Sequence, residues 1–372
     1  FWGGRMRCVV VTTGDILTPL GNLKTTWEGL KKGRSGLLSQ GFGTLNGAWP
    51  LGIIDNLPGR YGGWERLRSL FDVLHESLPH LPRNTSLFCA TTKAAVDELF
   101  QAEREIHGQP WQVAEYLNSR LGLPGPPAMV SAACASSLIA IIQGAQRISN
   151  GTCDHALVVG FDLLSEFVLA GFDSLMALSR VGARPFDRSR DGLSLSEGAG
   201  WLLLSAEDKV SDKERILARL AAWAISCDAT HITAPCRRAG GLIQAIRQVQ
   251  ALQAGPFGGI NAHGTGTVYN DAMELLAFKE TCDIGIPICS VKGALGHSLA
   301  AAGLVEALLS IKSLREGALP PTAGLMQAEA STCSVSGTEC LALSHPNILT
   351  CNSGFGGINA ALLLQGKASV SS

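Results

Sequence analysis

The chain has 372 residues, 46% of them hydrophobic and 16% charged, which supplies a large apolar core and excludes a disordered chain. Lys and Arg total 30 against 31 Asp and Glu, and a net charge of −1 excludes a nucleic-acid surface spread over a whole face. The 11 cysteines are scattered without a Cys-x-x-Cys pair and no apolar run is long enough to cross a bilayer, a pattern that predicts reduced thiols in a cytoplasmic protein with no metal site.

Residues 1–5 precede a methionine and are set aside as an appended segment. The β-branched run 8–12 predicts a buried strand, broken by Gly14 and Pro19 before a helix over 27–32. Leu67, Leu70, Phe71, Leu74 and Leu78 recur three and four residues apart, which predicts an amphipathic helix over 64–78 with Arg68 off its buried face and Arg66 at the margin. A strand over 128–133, an apolar helix over 136–149 and a buried strand over 156–160 follow. A similar unit recurs as a strand over 287–291, a helix over 300–314, and strands over 350–355 and 359–364. The recurrence predicts two related halves in one body, residues 1–210 and 211–372.

Cys134 lies in Val-Ser-Ala-Ala-Cys-Ala-Ser-Ser-Leu (130–138), between strand and helix, where unpaired amides and the helix dipole favour a thiolate nucleophile. A small buried hydrophobe is the equal alternative from local sequence. His263 in Asn-Ala-His-Gly-Thr-Gly-Thr (261–267) is an active-site candidate, because the glycines admit close backbone approach and the threonines supply hydroxyls; a capping histidine is the alternative. His297 ends Lys-Gly-Ala-Leu-Gly-His (292–297), just before the long apolar helix.

These motifs occur in a fixed order. A cysteine after a strand, His-Gly-Thr-Gly-Thr, Lys-Gly-x-x-Gly-His and a late Gly-Phe-Gly-Gly together resemble the β-ketoacyl synthase family, and the resemblance extends from Thr-Pro-Leu-Gly (18–21) to Phe-Gly-Gly-x-Asn-Ala (355–360). It implies a thiolase-like five-layered α/β/α/β/α fold built from two related halves. It also implies decarboxylative condensation of an acyl-enzyme with malonyl-acyl carrier protein, in fatty-acid, polyene or polyketide chain elongation. Carried over by motif, Cys134 is the nucleophile, and His263 and His297 polarise the malonyl thioester carbonyl. Lys292 supplies positive charge with Glu306 as counter-charge, and the backbone N–H groups of Cys134 and Phe355 form an oxyanion hole.

The resemblance further implies that Thr233, Thr265 and Thr267 bind the pantetheine arm, which arrives on the carrier protein, so that no bound cofactor is expected. Asp271, Glu274 and Glu197 are expected to organise structure, as is His231. Arg66 and Arg68 are candidates for docking the acidic carrier. A dimer is expected, with itself or with a chain-length-factor-like subunit, paired through strand 156–160. The family's Asn-Ser-Phe-Gly-Phe-Gly-Gly is here Asn-Ser-Gly-Phe-Gly-Gly (352–357), which lacks one aromatic and puts gating of the acyl pocket in question. A thiolase would use a second cysteine as base, for which Cys351 is the candidate, whereas the initiating ketosynthases carry asparagine where His297 stands. A partner subunit of the chain-length-factor kind would lack the nucleophile.

Overall fold

The β-branched run after Cys8 forms a longer strand than its composition indicates. Strand β1 (Val9–Thr18) continues through Gly14, where an added Cβ would lie 2.7 Å from Leu308 Cδ2 and 2.9 Å from Trp201 O. There the glycine serves close packing rather than a break. Helix α1 (Leu23–Lys31) starts earlier than the apolar pattern predicts, because the Asn22 side chain accepts from Thr25 N at 3.0 Å and caps it. The computed structural model describes residues 6–100, 108–253 and 255–366, so the set-aside residues 1–5 lie outside the described residues.

The N-terminal half continues with α2 (Trp64–Ser77), β2 (Thr85–Ala90), α3 (Pro110–Leu121), β3 (Ala128–Val130), α4 (Ser136–Ser149), β4 (His155–Asp162), α5 (Glu166–Ser174) and β5 (Gly198–Ala206). The C-terminal half contains β6 (Ala218–Cys227), α6 (Gly240–Leu252), β7 (Ile260–Asn261), α7 (Val268–Thr281), β8 (Pro287–Cys289), α8 (Lys292–Leu295), α9 (Ala302–Glu316), β9 (Ser334–Val335), β10 (Asn347–Gly354) and β11 (Ile358–Gln365). Hydrogen bonds join them in the order β9-β8-β7-β10-β11-β6-β1-β5-β4-β2-β3.

Read outward from the β6/β1 junction, the two halves have the same order. The first strand of each half pairs antiparallel with its last, the last antiparallel with the strand just before it in sequence, and that strand parallel with the second, which carries the third outside it; the second half adds β9 beyond its third strand. The sheets merge where Val9–Val11 pairs with Ala218–Leu220. Helices α4 and α9 pack together between the sheets, where Leu138, Ile141, Leu304 and Leu308 meet Val158 and Leu202 from one sheet and Leu362 and Leu364 from the other. Alternate residues Ala361 and Leu363 face the other way, against Leu242 and Ile246 of α6 and Phe278 of α7. Leu70 and Phe71 of α2 and Val113 and Leu117 of α3 cover the outer face of the first sheet. The result is the expected sequence of five alternating layers, made of two similar halves.

Two expectations are corrected. Residues 156–160 belong to β4, which is bonded along one side to β2 and along the other to β5, so this strand has no free edge for a second subunit. The outermost strand of that sheet is β3. Arg66 is 4% exposed and faces inward: its Nε and Nη2 donate to Glu197 at 2.8 and 2.6 Å, and Nη2 also donates to Ile54 O at 2.9 Å. It clips the 52–66 segment to the start of β5 and is not available to a carrier protein. Arg68 is exposed, as its place on the helix predicts. No helix among the described residues is long and apolar enough to cross a membrane.

Candidate active site

Both halves end their parallel strands at the same face, where the loops that follow meet. Between β3 and α4 the chain turns sharply, with Ala133 at φ 48° immediately before Cys134. Ser136 locks the turn, its Oγ donating to Ala133 O at 2.6 Å and accepting from Ala132 N at 2.8 Å. The β10–β11 hairpin of the other half closes against this turn. A Cβ on Gly354 would lie 3.1 Å from Cys134 N, and the Phe355 N–H donates to the Cys134 sulfur.

Burial pushes the Cys134 thiol up to about 12, and the opposing pull of the Lys292 charge and the Phe355 N–H does not offset it. The resting group is therefore a thiol. Desolvation outweighs the stabilisation that the turn offers the thiolate, so a base must take the proton as Cys134 reacts.

Two imidazoles lie beside the thiol. The loop after β7 holds His263, whose own N–H donates to Glu274 Oε1 at 2.7 Å, while Gly264 N donates to Glu274 Oε2 at 2.7 Å. Asp271 accepts from Thr265 N at 3.0 Å and from Phe186 N at 2.8 Å, so the two α7 carboxylates shape the loop, as their motif position implies. The His263 ring nitrogen Nδ1 meets two donors, Lys292 Nζ at 3.2 Å and Asn352 Nδ2 at 3.1 Å. It must accept, which puts the ring proton on Nε2. The Asn352 orientation is fixed by its donation to Glu306 Oε2 at 2.7 Å. Lys292 Nζ also donates to His263 O at 2.5 Å and pairs with Glu306 Oε1, both side chains being buried.

His297 sits edge-on to His263, with ring centroids 5.2 Å apart and planes at 85°. Its main chain is held on both sides, N donating to Ser194 O at 2.7 Å and O accepting from Ser196 N at 3.1 Å. Neither ring nitrogen has a partner among the described residues. Burial, and next the Lys292 charge, hold both imidazoles well below their ordinary pKa, so both are neutral near pH 7.

One ligand-type atom each from Cys134, His263 and His297 lies within 4.8 Å of the others. That spacing suits a soft cation, but the ammonium beside His263 opposes one. The three side chains open into a cavity of about 370 Å³, which Thr233, Thr265, Thr267 and Phe355 also line. The Thr265 and Thr267 hydroxyls are 2.9 Å apart. The single aromatic of the shortened hairpin, Phe355, stacks on Phe172 at 5.5 Å. Cys351, the residue a thiolase would need, points away into the core of the C-terminal half and its thiol is pushed far up by burial. His231 is exposed and accepts from Thr233 N at 3.1 Å, a local turn contact outside the cluster. Asn352 and Phe172 were not singled out from sequence, although Asn352 lies inside the terminal motif.

The N-terminal domain model of β-ketoacyl synthase matches residues 88–209 and the C-terminal domain model residues 217–326. The actinorhodin polyketide putative beta-ketoacyl synthase 1 of Streptomyces coelicolor is 32% identical over 66% of this chain and 56% of its own length. The 3-oxoacyl-[acyl-carrier-protein] synthase 2 of Mycobacterium bovis is 33% identical over 62% of this chain and 58% of its own length. The match thus spans a little over half of these relatives. A solved structure of a ketosynthase in complex with its chain length factor from Xenorhabdus doucetiae superposes with a TM-score of 0.82 and 27% identity, covering 97% of this chain and 98% of that one. Two consecutive domain models, matched in order across the halves that meet at the Cys134 turn, establish that the chain belongs to the β-ketoacyl synthase family.

Proposed function

We propose that this protein extends a carrier-bound acyl chain by two carbons through decarboxylative condensation with a malonyl unit. The observation that carries the reading is a buried thiol within 4.8 Å of two neutral imidazoles, one of them with both ring nitrogens unpartnered among the described residues. In the first step Cys134 gives its proton to His297 and its sulfur attacks the acyl thioester. The carrier thiolate leaves and recovers that proton. Amides of Cys134 and Phe355 receive the oxyanion, since fixed donors act where charge develops.

Malonyl carrier then occupies the vacated arm site, which Thr233, Thr265 and Thr267 line. His263 Nε2–H and His297 donate to the thioester oxygen while the carboxylate leaves as carbon dioxide. The enolate carbon attacks the Cys134 thioester, a carbon–carbon bond forms, and Cys134 leaves as thiolate and takes up one proton. The Lys292–Glu306 pair holds His263 Nδ1 as an acceptor throughout.

The partners in this reading are an acyl carrier protein and a second subunit, either a copy of this chain or a chain-length-factor-like relative. The latter is supported by the similar Xenorhabdus doucetiae ketosynthase, whose structure is that of a complex with its chain length factor. Exposed Arg68 is the remaining candidate for carrier docking, and its reversal to Glu is expected to weaken carrier association mainly at low salt. The test of function is intact mass spectrometry after incubation with octanoyl-carrier and then malonyl-carrier. An octanoyl adduct on Cys134 followed by a carrier-bound 3-oxo product two carbons longer is the expected result. Absence of both the adduct and carbon dioxide release would refute it.

A further inference from the structure

The strands β4 and β10 hold the same place in the two halves, and their registers make individual residues comparable. Ala90 pairs with Gly160, and Asn261 pairs with Thr350. Two residues further along, Thr92 faces Asp162 as His263 faces Asn352. The contacts repeat: Thr92 Oγ1 donates to Asp162 Oδ2 at 2.8 Å, and Asn352 Nδ2 donates to His263 Nδ1 at 3.1 Å. The mechanism above uses only the second pair.

Asp162 is 1% exposed and collects further donors, Thr91 Oγ1 at 2.7 Å, Thr92 N at 3.1 Å, Lys93 Nζ at 3.1 Å and Ala300 N at 2.9 Å. The last of these crosses between the halves. Ala300 follows His297 by one short turn, and between them Leu299 sits at φ 50°, a backbone region that a leucine keeps only when its surroundings impose it. The segment 194–196 fixes one end of this loop through the backbone of Ser194 and Ser196, and Asp162 fixes the other.

We propose that Asp162, charge-balanced by Lys93, is a positioning residue that holds the His297 loop against the Cys134 half and thereby sets the thiol-to-imidazole geometry for acyl transfer. The proposal rests on the ketosynthase reading above. Its carboxylate also opposes ionisation of Cys134, so removing the charge has opposite effects on the free thiol and on catalysis. The free thiol ionises more easily, whereas the misplaced imidazole accepts its proton less well.

The experiment compares two reactions of Cys134 in Asp162→Asn: alkylation by iodoacetamide at pH 8, read on the Cys134 peptide, and acylation by octanoyl-N-acetylcysteamine, read by intact mass. The Asn oxygen can still accept Ala300 N, but its amide then faces the Lys93 ammonium and the side chain is displaced. Acylation is expected to fall about tenfold, within the range that small misplacements cost, while alkylation holds steady or rises. Lys93→Met in the Asp162→Asn background removes the clash and restores most of the acylation; in an Asp162→Ala background it does not. Unchanged acylation in Asp162→Asn, or parallel loss of both reactions with no recovery in the double variant, would overturn the proposal. If the wild-type protein takes no octanoyl group while iodoacetamide still reaches Cys134, the ketosynthase reading itself fails, and that outcome is distinct from either.

Discussion

In the N-terminal half, β3 ends at Val130 and α4 begins at Ser136, leaving room for one tight turn and one reactive side chain, Cys134. In the C-terminal half, β8 ends at Cys289 and α9 begins only at Ala302, and the longer connection delivers both Lys292 and His297. The strand order is the same in both, so the scaffold brings equivalent loops to one face and the loops decide the chemistry. Buried charge divides the same way. Arg66–Glu197 and Lys93–Asp162 tie elements of the first half together, whereas Lys292–Glu306 in the second abuts a reacting imidazole.

Removing the first half's single contribution gives the largest effect. Cys134→Ala is expected to abolish acyl loading while leaving decarboxylation of malonyl carrier measurable, because both imidazoles belong to the other half. Labelled acyl transfer and carbon dioxide release, followed separately, check this; normal loading of the variant would remove the assigned nucleophile. Replacing His263 or His297 by Ala should instead suppress decarboxylation and condensation a hundredfold or more, about 3 kcal/mol of transition-state stabilisation from one lost donor in a buried site.

That division was largely legible before any coordinates, since Cys134, His263, Lys292 and His297 each stand in a short motif whose order identifies the family. What the sequence hid is long-range partnership. Helical periodicity places Arg66 at the edge of an apolar stripe, but only the fold shows Glu197, distant in the chain, waiting beneath it. Residues 156–160 read as a buried strand, and an apolar run looks the same whether one or both edges are bonded. Asp162 ends that run, and its counterpart role emerges only from the register of two separate ladders. The resting state of the thiol is hidden too, because a helix start is visible in sequence and desolvation is not.

The next effects sharpen the contrast between structural and catalytic charge. Arg66→Met and Lys292→Met each leave a buried carboxylate unpaired, a loss of about 3–5 kcal/mol in urea unfolding. The folded fraction of Arg66→Met should retain its turnover, whereas that of Lys292→Met should not. Equal losses of turnover would mean that the two pairs do the same work. Acid should likewise act mainly on the second half. The folded pKa values of His263 and His297 are depressed, so the stability these neutral groups contribute is present above about pH 6.5 and is lost as pH falls below it. Each adds a slope of up to about 1.4 kcal/mol per pH unit. Half-buried His155 in the first half acts in the same direction with a weaker cause. Unfolding at pH 5 and pH 7 should therefore differ much less in His263→Gln/His297→Gln than in the wild type.

The smallest expected effect lies at the seam between the halves, at Gly354. Its φ is outside the left-handed region, so alanine there is conformationally acceptable and the question is one of space. An ideal Cβ would lie 3.1 Å from Cys134 N, 3.2 Å from Ala133 Cβ and 3.3 Å from Ala132 O, tight enough that either the nucleophile turn or the hairpin must yield by a few tenths of an ångström. The turn is braced by Ser136 and by the left-handed Ala133, whereas the hairpin tip carries Gly356 and Gly357, so the hairpin is the side that moves. Moving it draws the Phe355 amide away from the Cys134 sulfur. Gly354→Ala should therefore cost only about 1 kcal/mol in stability, at the low end for overpacking, yet slow acyl loading severalfold more than it slows decarboxylation. Loading and decarboxylation reduced by the same factor would show that the two halves do not meet at the oxyanion hole in the way their geometry indicates.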